Sequence, residues 1–190
     1  MQEKRKLKNE ELGRISIDEF KNIQKFPVVV VLDNVRSALN VGSVFRTSDA
    51  FLVEGVCLCG ITATPPNPEI HKTALGGEFS VAWKYFPNTM DAVNELKNAG
   101  FIVLSVEQAI SSTMLPDLKL EIGKQYALVL GNEVNGVDQD VIDASDGCIE
   151  IPQWGSKHSL NISVSAGIVL WDVVKKLGAT NRAVDKEVHK

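Results

Sequence analysis

The chain is poor in cysteine and aromatics, has no long apolar run, and carries no excess of basic charge. Only three of its 190 residues are cysteine: Cys57, Cys59 and Cys148. A count that low and odd excludes a disulfide scaffold, and it fits reduced thiols in a cytoplasmic protein. Cys57 and Cys59 form half of a metal-ligand pattern, but no second ligand pair completes a zinc site, so no metal is expected. Alternate residues of one strand share a face, and the pair reads as buried apolar thiols. The longest apolar stretch, residues 27–32, is far too short to span a membrane. Residues 1–9 are charged with no apolar segment behind them, so no secretory signal is expected. The formal net charge of −4 argues against indiscriminate attraction to nucleic acid.

Two nucleotide-binding signatures are also missing. No G-x-G-x-x-G follows the first apolar run, which disfavours a dinucleotide fold of the usual kind. Gly131 and Gly136 have the spacing of a phosphate loop, but Val137 stands where the lysine is required.

What is present is the composition of an ordinary soluble domain, 44% apolar and 23% charged. Ser16 and Glu19 form a capping-box pattern opening a short helix to Lys25, which Pro27 stops. The β-branched run 28–32 suits a strand buried on both faces. A helix over 41–52, a strand over 56–59 and a proline-rich loop over 64–68 follow. The pattern continues with a helix over 69–75, a Gly76-Gly77 break and a strand over 81–85. Residues 88–98 are amphipathic and end at Gly100. Strands are expected over 101–106, 126–130 and 148–151, with a helix over 137–145. The last helix, 160–177, is apolar nearly all round and is expected to be buried on more than one side.

Strand and helix alternate throughout, which predicts an α/β domain with a mostly parallel sheet and helices on both faces. Residues 27–178 form that domain. Residues 1–26 read as a basic, partly helical extension and 179–190 as a charged tail. Ligands of such sheets collect beyond the carboxyl ends of strands. Three polar loops fall there: 33–40, 131–136 and 152–159.

In the first loop Asn40 is a candidate N-cap, Gly42 permits close backbone approach at the helix start, and Arg46 lies further along on the same face. Arg46 suits a surface ion pair or a phosphate or carboxylate contact. In the second, two glycines hold Glu133 between tight turns. In the third, Ser159 or Asn161 is placed to cap the last helix. Lys4, Arg5, Lys6, Lys8 and Arg14 form a basic cluster that reads either as a solvated tail or as a nucleic-acid contact.

Taken together, the three loops resemble the SpoU/TrmH family of RNA 2′-O-methyltransferases of the SPOUT superfamily. The first family motif is matched by Asn40-Val41-Gly42-Ser43-Val44-Phe45-Arg46-Thr47-Ser48-Asp49-Ala50-Phe51. The second is matched by Leu130-Gly131-Asn132-Glu133-Val134-Asn135-Gly136-Val137. The third is matched by Ile151-Pro152, Gly155 and Ser159-Leu160-Asn161-Ile162-Ser163-Val164-Ser165. The resemblance covers residues 27–177. It implies a C-terminal trefoil knot, which general topology rules would never suggest. It also implies S-adenosylmethionine as methyl donor, transfer RNA or ribosomal RNA as substrate, and a homodimer whose active site is shared between subunits.

Carried over residue by residue, Arg46, Asn40, Glu133, Ser159 and Asn161 match the family's catalytic positions. Leu130, Gly131, Ile151, Leu160 and Gln153, with Val106 and Glu107 at the turn after the fourth strand, should form the donor pocket. Gln153-Trp154 departs from the Met-small pair usual in relatives. Arg36, Arg46 and Lys157, with Lys4, Arg5, Lys6 and Lys8, are the candidate RNA contacts. Transfer from a sulfonium needs no metal, since the leaving group is already good. The demand is to align a weakly nucleophilic 2′-hydroxyl and assist its proton loss. Arg46 is the family's candidate for that step, although a guanidinium almost never deprotonates. It can instead anchor the neighbouring phosphate and stabilise developing alkoxide, while phosphate or water takes the proton. Glu133 is expected either to fix its loop or to orient Arg46 by an ion pair.

Overall fold

The structure, a computed structural model, describes residues 5–178. Lys4 and the segment 179–190 lie outside the described residues. The chain alternates through α1 (Ile17–Asn22), β1 (Phe26–Asp33), α2 (Ala38–Ala50), β2 (Val53–Cys59), α3 (Pro68–Ala74), α4 (Gly77–Ser80) and β3 (Ala82–Phe86). It continues through α5 (Thr89–Asn98), β4 (Phe101–Val106), β5 (Thr113–Met114), β6 (Gln125–Leu130), α6 (Gln139–Ala144), β7 (Gly147–Glu150) and α7 (Ile162–Lys176). The seven strands form one sheet in the order β3-β2-β1-β6-β4-β7-β5, and every ladder is parallel.

Side-chain alternation with period two divides the apolar residues of the central strands between two cores. Val28, Val30, Leu32, Leu58 and Leu128 pack on one face with Val41, Phe45, Val169 and Leu170 of α2 and α7. Val29, Val31, Ala127 and Val129 pack on the other face with Ala92, Val93 and Leu96 of α5 and Val141 of α6. Helices therefore cover both faces, as expected. Cys57 and Cys59 belong to the second core, buried as read from the sequence. Leu128 is fully buried, and truncating it to alanine would cost about 2–5 kcal/mol.

The observed elements refine the expectations. Ser16 caps α1 through the expected box with Glu19, but the helix ends at Asn22 because Ile23 is extended. A short helix, α4, follows the Gly76-Gly77 break, and the two-residue strand β5 makes seven strands instead of six. Helix α6 begins at Gln139, not at Val137, and α7 begins at Ile162, not at Leu160. Helix α2 begins earlier than expected, with Ser37 and not Asn40 as its N-cap. Gly42 permits the expected close backbone approach, here to α3: a Cβ there would lie 2.2 Å from Thr73 Oγ1 and 2.3 Å from the Ile70 carbonyl.

Helix α7 departs from the expected burial on more than one side. Ile162, Ala166, Val169, Leu170, Val173 and Val174 face the core, whereas Val164, Ile168 and Trp171 are 49%, 38% and 60% exposed. Their i, i+4, i+7 spacing places them on a single stripe. Among the described residues, no helix is long and apolar enough to cross a membrane.

Candidate active site

Strands β1, β6, β4 and β7 are consecutive in the sheet and parallel, so their carboxyl ends emerge side by side. The segments that follow them therefore meet. Those after β6, β4 and β7 enclose a cavity of about 510 Å³ whose lining includes Val106, Glu107, Leu130, Gly131, Ile151, Gln153 and Leu160, while the segment after β1 lines none of it. These are the seven residues expected to hold the donor. Glu133, Ser159 and Asn161 line the same cavity.

A hydrogen-bond chain ties the three motif loops together. Glu133 accepts from the Arg36 N–H at 2.9 Å, the Ser37 N–H at 3.1 Å and Asn40 Nδ2 at 3.0 Å. Asn40 Oδ1 in turn accepts from Asn161 Nδ2 at 3.2 Å. Asn161 caps α7, its Oδ1 accepting from the Ser163 N–H and the Ser163 hydroxyl. Partial burial of the Glu133 carboxylate pushes its pKa up, but the bonds from Arg36, Asn40 and Ser37 outweigh that and hold it below the usual range. Its position just before α2 also suits the partial positive charge of a helix N-terminus.

The loop after β6 is built by Asn132, which sequence reasoning passed over. Its backbone pairs with Gly136 in both directions, at 2.8 and 2.9 Å. Its Oδ1 accepts from the Val134 and Asn135 N–H groups, and its Nδ2 donates to the Asn34 carbonyl at 2.7 Å. The two glycines are needed there for different reasons. Gly131 lets its backbone lie against Gly136 and Val137, since a Cβ would come within 2.1 Å of both. Gly136 has φ +71°, and a Cβ on it would meet Glu107 Oε2 at 2.1 Å. Glu107 fastens this loop to the β4 turn by accepting from the Val137 N–H at 3.0 Å. At the end of β1, Asp33 is fully buried and accepts from Asn34 Nδ2, the Thr89 hydroxyl and the Asp138 N–H. No local pattern marked Asp33, because two of its three partners, Thr89 and Asp138, come from elements far along the chain.

Arg46 stands apart. Six residues at about 100° each leave it roughly 120° round α2 from Asn40, not on the same face. It is exposed and absent from the cavity wall. Among the described residues no ion pair joins it to Glu133; of the two roles expected for that carboxylate, fixing the loop is the one observed. Arg36 and Lys157 are exposed beside the cavity, as are Lys6 and Lys8 at the N-terminus. Arg5 is exposed too, but its guanidinium lies on Glu11 at 2.6 Å.

A SpoU rRNA methylase family model matches residues 27–171. A Staphylococcus epidermidis protein assigned to the TrmH family of tRNA/rRNA methyltransferases is 30% identical over 165 residues, covering 85% of this chain and 65% of that protein. The chain thus spans just under two thirds of that relative's length. The AdoMet-bound rRNA methyltransferase of Sinorhizobium meliloti superposes with a TM-score of 0.75 at 29% identity, over 83% of this chain and 60% of that one. The A. aeolicus TrmH/SpoU tRNA-modifying enzyme gives 0.74 at 26% identity, over 87% and 82%. With three motif loops tied together by hydrogen bonds and the family model spanning most of its length, this chain belongs to the SpoU rRNA methylase family.

Proposed function

We propose that this chain transfers a methyl group from S-adenosylmethionine to a ribose 2′-hydroxyl of transfer or ribosomal RNA, acting as a homodimer. The observation that carries the reading is that the second and third motif loops line one cavity and the Glu133–Asn40–Asn161 chain ties the first motif to its rim. The cavity suits the donor. Leu130, Ile151, Leu160 and Ile162 supply apolar wall, the backbone around Gly131 supplies amide edges, and Glu107, Glu133 and Glu150 favour a cation. When bound, S-adenosylmethionine supplies a methyl group on a sulfonium leaving group. That it is bound by the S. meliloti neighbour supports the same role here.

The chain's own residues then align and assist. Ser159 and Asn161, at the cavity edge, position the ribose. Arg46 keeps its proton, binds the adjoining phosphate and stabilises the developing alkoxide, while phosphate or water receives the hydroxyl proton. Because Arg46 is off its own cavity wall, the reading assigns it to the cavity of the partner subunit. The exposed stripe Val164, Ile168 and Trp171 supports a dimer, since association would remove that apolar surface from water. A trefoil knot belongs to the same reading. Its support is that β4 lies between β6 and β7, and that the loop after β7 returns over the β4 turn, where Gln108 Nε2 donates to the His158 carbonyl at 2.9 Å.

The test is transfer of labelled methyl from S-adenosylmethionine to total transfer RNA and, separately, to ribosomal RNA, with nucleosides identified by mass spectrometry. A 2′-O-methylnucleoside in either pool is expected. Methylated bases, or RNA binding without donor binding, would overturn the reading.

A further inference from the structure

A second cavity, of about 750 Å³, shares no lining residue with the first. Its wall is formed by Pro66, Pro68, Ile70, His71, Phe79 and Trp83. Two of these are exposed aromatics, Phe79 at 57% and Trp83 at 39%. Trp83 sits on β3, the edge strand of the sheet. His71 is held in place: its Nδ1 bonds to Glu78 Oε1, and Glu78 is itself buried and accepts from the Gly76 N–H. The imidazole lies 5.9 Å from the Phe79 ring. The result is a set of ring faces with one fixed polar edge, where a closed apolar core would have been possible.

The position of this cavity gives it meaning. Helix α4, which carries Phe79, packs directly on the turn of α2 that carries Arg46: a Cβ on Gly77 would meet the Phe45 carbonyl at 3.0 Å and Arg46 Cα at 3.2 Å. The Ser80 hydroxyl bonds to Asp49 of the same helix. Arg46 and Lys72 are exposed cations, and among the described residues neither has a hydrogen-bond or ion-pair partner. On this side Glu78 is engaged with His71, which leaves Glu69 as the exposed carboxylate of α3. Unpaired cations beside exposed ring faces match a ligand that carries phosphates and flat bases.

We propose that the cavity bounded by Pro66, His71, Phe79 and Trp83 is a nucleobase-stacking subsite for an RNA strand whose backbone is held at Arg46. It rests on the RNA methyltransferase reading and adds where a base next to the modified nucleotide is gripped. Stacking is tolerant of sequence, so the subsite would supply affinity and register and not base identity.

The experiment is anisotropy of a fluorescein-labelled, mixed-sequence 12-nucleotide single-stranded RNA with the full chain. Variants are Phe79→Ala, Trp83→Ala and the conservative Trp83→Phe, each checked for an unchanged unfolding transition and dimer mass. The alanine variants should lose roughly tenfold or more in affinity, the order of one lost base stack, with an unchanged salt slope, and Trp83→Phe should restore most of it. Arg46→Ala should instead flatten the salt slope. Wild-type affinity in both folded alanine variants would overturn the subsite alone. Loss of the dimer in step with affinity would assign this face to a second copy and also overturn it. Failure of the wild type to bind RNA would overturn the methyltransferase reading and the subsite with it.

Discussion

Asn40 Nδ2 donates to Glu133 Oε1 at 3.0 Å, joining residues 93 apart in sequence. Through that bond the loop after β6 is fixed to the start of α2, and through Asn161 to the start of α7. The sheet brings the loops near one another. The carboxylate sets their spacing, because it accepts from two backbone N–H groups as well as the amide. Glu133→Gln should therefore loosen three segments at once.

The size and pH dependence of that loss follow from the depressed pKa of Glu133. The ordinary glutamate value is 4.5, and the native carboxyl lies below it. As pH falls, the unfolded chain takes up this proton first. The stabilisation is complete above the ordinary value and disappears as pH drops through the native one. The residue as a whole is exposed, so the net effect at neutral pH should be only about 1 kcal/mol. Urea unfolding of wild type and Glu133→Gln should differ at neutral pH and converge in acid. A gap that widens in acid would show that Glu133 does not act through its charge.

Gly131→Ala addresses the backbone. A methyl group there would lie 2.1 Å from the Gly136 carbonyl carbon and from Val137 N, both backbone atoms that cannot swing aside. The loop must move as a body, at a cost of about 1–3 kcal/mol. Calorimetric titration with S-adenosylmethionine should show at least tenfold weaker binding, and the melting temperature should fall. Unchanged binding would separate this loop from the donor site.

Cys57 and Cys59 make a chemical prediction. Burial between β1, β2 and α5 pushes both thiols from 9.0 up to about 12. Only the thiolate alkylates at a useful rate. Iodoacetamide at about pH 8 should leave both unlabelled in the folded chain and modify both in denaturant. Rapid native labelling of either residue, read by mass spectrometry of peptides, would contradict their place in the core.

The sheet and its faces were legible because apolar periodicity is local. The run 28–32 announces a doubly buried strand whatever lies elsewhere in the chain. The seven residues expected around the donor come from the motifs and the turn after the fourth strand, and all seven line one cavity. Three things were not. Asn40 looked like a cap because an asparagine beginning an apolar-periodic segment usually is one. Ser37 takes that role three residues earlier, and its partner Glu133 lies in a distant loop. Asn132 and Asp33 organise the site through backbone groups of loops that only the fold brings near, so no spacing rule finds them. The exposed stripe of α7 has the same apolar composition as the buried face, and composition cannot say which side water reaches.

That stripe and the placement of Arg46 lead to the most discriminating prediction. If each active site takes Arg46 from one subunit and the cavity from the other, two differently damaged subunits can rebuild an intact site. Arg46→Ala removes the cation and leaves the cavity. Leu160→Arg blocks the cavity at a partly exposed position, where the fold should tolerate it. In a heterodimer of the two, one site then carries both lesions and the other carries neither. Random mixing makes half the dimers heterodimers, each with one working site, so a co-refolded mixture of two inactive variants should recover about a quarter of wild-type methylation. If Arg46 serves the cavity of its own chain, every site keeps one lesion and the mixture stays inactive. Adding Trp171→Glu to both variants should abolish any rescue, because a carboxylate on the exposed stripe opposes its burial in a dimer. Rescue that survives Trp171→Glu would move the interface away from α7, while still placing Arg46 across it.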